Sequence, residues 1–200
     1  MSSFAVHYER RTPQHHVVLS VPAGKVTRVH LPDEDAKAHL VTALLKARGE
    51  PNEELELFGE KTTELKPKER SKLRARIGAL SPVVGLMTNL NAWENISLPA
   101  AYHGNAPLEE VAALAHEVIT AFGGEPNQFL AQLPDDLGVL ERKVAAFVRL
   151  LVTAPELMIF DALEEGLSHS ECKRAARFES VYRAYQPDGT VLYVDTREDS

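Results

Sequence analysis

The chain has 200 residues and one cysteine, so it fits a single domain of ordinary size and excludes an internal disulfide or a cysteine metal cluster. Its net charge of −7 argues against a nucleic-acid backbone or an anionic membrane surface as the main partner. No run of about 18 apolar residues occurs, and the N-terminus does not have the pattern of a signal peptide. We therefore expect a soluble, cytosolic protein that only another chain would hold at a membrane.

Short β-like runs open the chain, and helices then alternate with apolar strands. The predicted strands are residues 4–8, 16–21, 25–30, 55–58, 77–80, 156–160 and 190–194. The predicted helices are residues 33–48, 66–76, 91–102, 107–122, 140–152 and 170–185. This alternation predicts an α/β fold with a mostly parallel sheet. The early β runs predict an attached antiparallel β lobe, and the helices within about 91–137 predict a helical insertion.

Six segments in a fixed order extend this pattern over nearly the whole chain. They are residues 21–26, 31–40, 57–60 with 76–78, 91–99, 133–137 and 154–161. In that order they resemble the motifs of ABC transporter ATP-binding subunits, especially the branch that serves cell division and lipid transport. The resemblance implies a P-loop NTPase-like sheet flanked by helices, in one domain over residues 1–200. The elements that usually follow the last strand are expected to be absent.

The resemblance also assigns the positions of a nucleotide site. A phosphate-binding loop uses glycines to expose backbone N–H groups, a lysine to reach the phosphates, and a Ser or Thr hydroxyl to hold Mg²⁺. Here Lys37 keeps the lysine position and Asp161 keeps the Walker B aspartate, but Ala38 replaces the hydroxyl. Tyr8 stands where the family often has an aromatic residue that stacks on adenine, although a tyrosine at a strand end more often simply packs. Any remaining nucleotide site would thus use Tyr8, Lys37 and Asp161.

Three acidic residues, Asp33, Glu34 and Asp35, occupy the aligned loop. A carboxylate about 4 Å from a phosphate oxygen costs roughly 1–4 kcal/mol per pair of charges. Asp33 also suits the N-cap of the following helix, and acids in a first turn suit the positive end of the helix dipole. We interpret the three carboxylates as an internal replacement for phosphate.

The other catalytic positions have changed as well. The Q-loop glutamine aligns with Pro82, the catalytic glutamate with Ala162, and the switch histidine with Thr196. The signature motif aligns with residues 137–140, and the D-loop aspartate aligns with Ser168. The resemblance therefore implies no ATP hydrolysis, no metal site and no cofactor, with ATP and Mg²⁺ bound only if the degenerate site still works.

We interpret the chain as a non-hydrolysing structural or regulatory subunit of a membrane transport assembly. The implied partners are a membrane permease, another ABC ATPase subunit or both, with no nucleic acid and no membrane span of its own. The chain would lie in the cytoplasm, at the inner face of the membrane through its partner. Met87 and Trp93 are the candidates for a permease groove, although their segment also suits an ordinary core.

Two alternative functions stay open. The first is a free-standing, soluble interaction or regulatory protein that kept only the fold. The second is a weak residual ATPase that uses Lys37 and Asp161 with a displaced Glu164 or Glu165.

Overall fold

A computed structural model describes residues 4–13, 15–104 and 106–196 of the chain, and within them the backbone forms eight strands and eight helices. The strands are β1 (Phe4–Arg11), β2 (His16–Pro22), β3 (Val26–Leu31), β4 (Glu53–Leu57), β5 (Glu60–Lys61), β6 (Ile77–Leu80), β7 (Leu157–Asp161) and β8 (Thr190–Thr196). The helices are α1 (Glu34–Lys46), α2 (Pro67–Arg74), α3 (Ala92–His103), α4 (Leu108–Ala121), α5 (Pro126–Ala131), α6 (Val139–Val152), α7 (His169–Ala175) and α8 (Arg177–Tyr185).

The elements group into two compact units. The first runs from the start of β1 to residue 79 and adds residues 155–162 and the stretch from residue 186 through β8. The second comprises residues 80–154 and 163–185, which include the predicted helical insertion.

The first unit contains two sheets. One is antiparallel between β2, β1 and β4 and has the order β2-β1-β4-β5. The other has the order β3-β8-β7-β6, and its β3–β8 and β8–β7 pairs are parallel. The predicted α/β class, with a parallel sheet and an antiparallel lobe, is confirmed.

The third early β run differs from its prediction. We expected it in the antiparallel lobe, but it forms β3 and pairs in parallel with β8. The turn between β2 and β3 explains the change of sheet. Gly24 takes a φ of +71°, which suits glycine, and its N–H donates to the Thr190 hydroxyl at 2.9 Å. This contact directs the chain out of one sheet and into the other.

The core of the first unit forms where α1 packs its apolar face on the strands. Leu40 and Leu44 of α1 are fully buried, as are Ile159 of β7 and Val194 of β8. Burying each such side chain contributes roughly 1.5–3 kcal/mol. All five residues of β7 are buried, as expected for a central parallel strand.

The second unit is helical and has an aromatic centre. The Phe178 ring lies 4.5 Å from the Phe122 ring and 4.9 Å from the Phe147 ring, measured between centroids. Residues 170–185 were predicted as one helix but form α7 and α8. At Ala176 the ψ angle is −17°, well away from the α-helical value of about −42°, and this turn separates the two helices.

Candidate functional site

The carboxyl ends of three parallel strands bring the candidate residues of the first unit together. β7 ends at Asp161, and β8 ends at Thr196, which pairs with Leu31 at the end of β3. In open parallel sheets, ligands bind outside this edge. Lys37, in the first turns of α1, places its Nζ 3.7 Å from Asp161 Oδ1. The Walker A and Walker B positions therefore meet in space, as the resemblance implies.

Glu34 supplies an anion at this edge. Its Oε2 lies 2.8 Å from Lys37 Nζ, and its Oε1 accepts a hydrogen bond from the Thr196 hydroxyl at 3.0 Å. The hydrogen bond from Lys37, with help from Thr196, lowers the pKa of the Glu34 carboxyl below its ordinary value. The Glu34 carboxylate thus contacts both Lys37 of the loop and Thr196 at the switch position.

Asp33 closes the start of α1. Its Oδ1 accepts from the Ala36 N–H at 2.7 Å, so the predicted N-cap is present. Its Oδ2 lies 3.1 Å from His15 Nε2 in the turn between β1 and β2. The Asp33 side chain is therefore hydrogen-bonded to a backbone N–H of the kind that a phosphate-binding loop directs toward its ligand.

Asp35 turns toward the β lobe. Its Oδ2 accepts from both terminal nitrogens of Arg10 at 3.3 Å, and its Oδ1 lies 3.6 Å from His39 Nε2. Each of the three loop acids consequently has its own basic partner: His15 for Asp33, Lys37 for Glu34, and Arg10 with His39 for Asp35. We call residues 33–35 with these contacts the acidic turn.

Glu53 is a site residue that the sequence reasoning missed. It starts β4, is only 4% exposed, and accepts a hydrogen bond from the Tyr8 hydroxyl at 2.8 Å. Arg10 Nε lies 3.6 Å and His39 Nδ1 lies 3.4 Å from its Oε1. The signal was available, because the alternation with Leu55 and Leu57 places Glu53 on the inward face of its strand.

Tyr8 is buried, with 0% of the residue exposed, as in the packing interpretation of a tyrosine at a strand end. Its burial is the main cause, and its hydrogen bond to Glu53 the second, that raise the pKa of its hydroxyl well above the ordinary value. A ring without an exposed face cannot stack on adenine. The structure therefore gives Tyr8 a structural role, as the partner of Glu53.

Two further positions that the resemblance assigns to this site, residues 38 and 162, have side chains without a ligand atom. Ala38 is exposed and carries only a methyl group where the resemblance puts the Mg²⁺-binding hydroxyl. Ala162, at the catalytic glutamate position, takes a φ of +48°, and its N–H donates to the Val194 carbonyl at 3.1 Å. A left-handed conformation costs a non-glycine residue roughly 1–2 kcal/mol, so the hydrogen bond at the strand end holds a strained residue.

The changed positions of the second unit have local structural roles. At the signature, Leu137 and Leu140 are 3% and 1% exposed and belong to the core. At the D-loop position, Ser168 caps α7: its N–H donates to Glu171 Oε2 at 2.8 Å, and its hydroxyl donates to the same atom at 2.6 Å. These hydrogen bonds lower the pKa of the Glu171 carboxyl. Pro82, at the Q-loop position, is exposed.

Asn95 organises the loop that precedes α3. It is fully buried; its Oδ1 accepts from the Met87 N–H at 2.7 Å, and its Nδ2 donates to the Met87 and Leu90 carbonyls at 3.0 and 2.9 Å. Met87 is left 48% exposed on this fixed loop, whereas Trp93 is partly buried. Hydrogen bonds from Asn95 therefore hold the backbone of the segment around the expected groove, and Met87 is an exposed apolar side chain on it.

Solved structures define the class of this fold. The ATP-binding cassette MJ0796, described as a bacterial ABC transporter cassette and solved as a dimer, aligns with a TM-score of 0.76 and 20% identity over 97% of this chain and 87% of its own. A dimer of the same cassette bound to ADP and Pi aligns with a TM-score of 0.75. CbiO1 from Clostridium perfringens, part of the ABC transporter complex CbiONQ, aligns with a TM-score of 0.73 and 15% identity over 98% of this chain and 80% of its own. The chain has the fold of ABC transporter ATP-binding domains.

A curated protein adds similarity in sequence. The chain is 33% identical over 99 residues to the lipoprotein-releasing system ATP-binding protein LolD of Colwellia psychrerythraea. This match spans 49% of the chain and only 37% of LolD, and no protein-family model matches the sequence. Together with the solved structures, it confirms the resemblance to ABC transporter ATP-binding subunits.

Across the described ranges, which leave out residues 14 and 105 and both ends of the chain, no helix is long and apolar enough to cross a membrane.

Proposed function

We propose that this chain is a non-hydrolysing ABC-type subunit that gives structure or regulation to a membrane transport assembly. The observation that carries the proposal is the Glu34 carboxylate, which lies 2.8 Å from Lys37 Nζ and accepts from Thr196. An internal anion thus takes the partner that a nucleotide phosphate would need. We further propose that residues 1–200 work as one ABC-type domain.

The donor set does not fit magnesium-bound ATP. The Asp33 side chain occupies the Ala36 N–H, and Ala38 offers no oxygen to a metal. Each carboxylate of the acidic turn within about 4 Å of a phosphate would cost roughly 1–4 kcal/mol. Ala162 has no carboxylate to act as a general base, and loss of such a base typically lowers a rate by about 10²–10⁴.

The exposed apolar surface of the second unit supports a permease as the partner. Val83 and Met87 on the loop before α3 are 74% and 48% exposed, and Leu98 on α3 is 40% exposed. Exposed apolar patches of this kind often mark protein interaction sites. We propose that this surface, with Trp93 beside it, receives a helix of a membrane permease and thereby holds the chain at the inner face of the membrane. The similarity to LolD supports lipid or lipoprotein transport as the process served.

Calorimetric titration of the purified chain with Mg-ATP tests the proposal. We expect no binding heat up to about 1 mM nucleotide, which corresponds to a binding free energy weaker than about −4 kcal/mol. A micromolar dissociation constant that Lys37→Ala abolishes would contradict the proposal. It would show that Lys37 can leave Glu34 for a phosphate.

The contact between Lys37 and Asp161 keeps a weak residual ATPase as the second candidate function. Phosphate release from Mg-ATP, measured for the chain and for Lys37→Ala, separates the two functions. Equal background rates favour the non-hydrolysing subunit, and turnover that Lys37→Ala removes favours the ATPase.

The permease surface can be tested by co-expressing the chain with a permease that is encoded in the same genome, and by co-purifying the two proteins. We expect Met87→Glu combined with Leu98→Glu to abolish recovery of the permease. Val18→Glu is a matched control, because Val18 of β2 is 55% exposed and lies in the first unit. Loss of recovery with both variants, or with neither, argues against this surface and favours a free-standing protein.

A further inference from the structure

Positive charge is concentrated in one short segment of this acidic chain. Residues 61–76, which contain α2, have seven Lys or Arg and two Glu, a net charge of +5. Because the whole chain carries −7, the remaining residues carry −12. Charge segregation on this scale gives this segment a local charge opposite in sign to that of the rest of the chain.

Most of these cations are not used inside the fold. Arg76 donates to both oxygens of Glu156 at 2.7 and 2.8 Å and lies over the Phe58 ring, and Arg70 donates to the Leu65 carbonyl. The other five are exposed and form no ion pair with any residue that the structure describes; they are Lys61, Lys66, Lys68, Lys72 and Arg74. We call these five side chains the basic face.

The basic face has the wrong composition for a protein interface. Four of its five cations are lysines, whereas interfaces are depleted in lysine and centre on apolar or aromatic anchors. The two leucines of the segment do not provide an anchor, because Leu73 is 2% exposed and Leu65 is partly buried. Lysine is a hydrated point charge on a flexible stem, and it suits a diffuse anionic surface better than a defined carboxylate.

We propose that the basic face binds the anionic phospholipid headgroups of a membrane surface by electrostatic attraction, without insertion. Glu56 faces Lys61 across the β4–β5 pair, so the local charge is the net +5 of the segment reduced by this neighbour. Acidic residues that lie more than about 10 Å from the membrane surface are largely screened at 0.1 M salt and do not prevent the contact. This contact goes beyond the proposed function: it requires neither nucleotide nor permease and uses no residue of the acidic turn.

Flotation with lipid vesicles tests the proposal. The probes are vesicles of mixed phosphatidylglycerol and phosphatidylcholine, and vesicles of phosphatidylcholine alone. We expect the chain to float with the first at about 0.1 M salt, to be released at about 1 M, where the Debye length is about 3 Å, and not to float with the second.

Two variants that lose the same number of positive charges show whether the position of those charges or only the net charge of the chain matters. Replacing Lys66, Lys68, Lys72 and Arg74 by Gln should weaken binding to the anionic vesicles by about 100-fold or more. Replacing the exposed Lys25, Lys46, Arg48 and Lys173 by Gln removes the same charge elsewhere and should change binding less than about fivefold. Circular dichroism of both variants checks that they are folded.

Three results would overturn the proposal. They are no flotation of the wild type with anionic vesicles, an equal loss in the two variants, or tighter binding to a polyglutamate peptide than to the vesicles. The last would assign the basic face to an acidic protein segment. Binding of Mg-ATP would leave the vesicle result unchanged, so failure of this proposal and failure of the proposed function can be told apart.

Discussion

Glu53 and Glu34 both meet a basic side chain in the first unit, but in opposite surroundings. The Glu53 side chain is 1% exposed and is in contact with Tyr8, Arg10 and His39. The Glu34 side chain is 71% exposed and meets Lys37 and Thr196. The energetic weight of such groups depends on solvent, because a buried charge that loses its partner cannot be compensated by water, whereas an exposed one can.

The two carboxylates therefore contribute differently to the fold. The Glu53 network joins β1, α1 and β4, so it contributes to stability whatever the chain binds. The Glu34 contact contributes little to stability, and it places a second carboxylate beside Lys37, which also lies 3.7 Å from Asp161.

Glu53→Ala should have the largest effect. It leaves the buried Tyr8 hydroxyl without its acceptor and removes one of the two carboxylates that Arg10 contacts, so we expect a loss of about 3–5 kcal/mol in the free energy of unfolding. Urea denaturation measures it. Glu54→Ala is the matched control on the exposed face of β4 and should change stability by no more than about 0.5 kcal/mol. Similar small losses of unfolding free energy in both variants would contradict a stabilising role for the Glu53 network.

Tyr8→Phe should come next. It deletes only the hydroxyl that donates to Glu53 at 2.8 Å and keeps the buried ring. Hydrogen bonds to charged groups contribute about 1.5–3 kcal/mol, so we expect a loss in that range in the same urea experiment. An unchanged midpoint would mean that Arg10 and His39 satisfy Glu53 without Tyr8.

Asp33→Ala should cost about 1 kcal/mol, as the loss of an N-cap typically does. Asp33→Asn is the informative companion, since an amide oxygen can still cap α1 but carries no charge toward His15. We expect thermal denaturation to show that Asn restores most of the stability. If Asn is as destabilising as Ala, the contact with His15 matters more than the cap.

Glu34→Gln should have the smallest effect on stability, below about 1 kcal/mol, because the pair is exposed. Lys37 lowers the pKa of Glu34, so its contribution is present above the ordinary carboxyl value of 4.5 and is lost as pH falls below it. The stability difference between wild type and variant should therefore shrink toward zero in acid. Denaturation curves at neutral and acidic pH check this, and a difference that grows in acid would contradict the assigned contact.

The sequence predicted the regular elements well, because apolar periodicity directly reports which face is buried. It predicted the cap at Asp33 from local residue preference, and it assigned Lys37 and Asp161 to one nucleotide site from the order of the motifs. It missed the partners of the acidic turn, because Arg10 lies in β1 and His15 in the turn that follows it, and their position relative to α1 is set by tertiary packing. Tyr8 was named as a residue of any remaining nucleotide site, with simple packing as the favoured interpretation, but the alignment does not report that its hydroxyl donates to Glu53.

The acidic turn also makes its residues interdependent. Replacing Glu34 would remove a carboxylate from Lys37 and the acceptor from Thr196. Replacing Asp35 would likewise deprive Arg10 of two hydrogen bonds. The effect of one substitution in the acidic turn therefore depends on which partners are still present, so the effects of paired substitutions should not add.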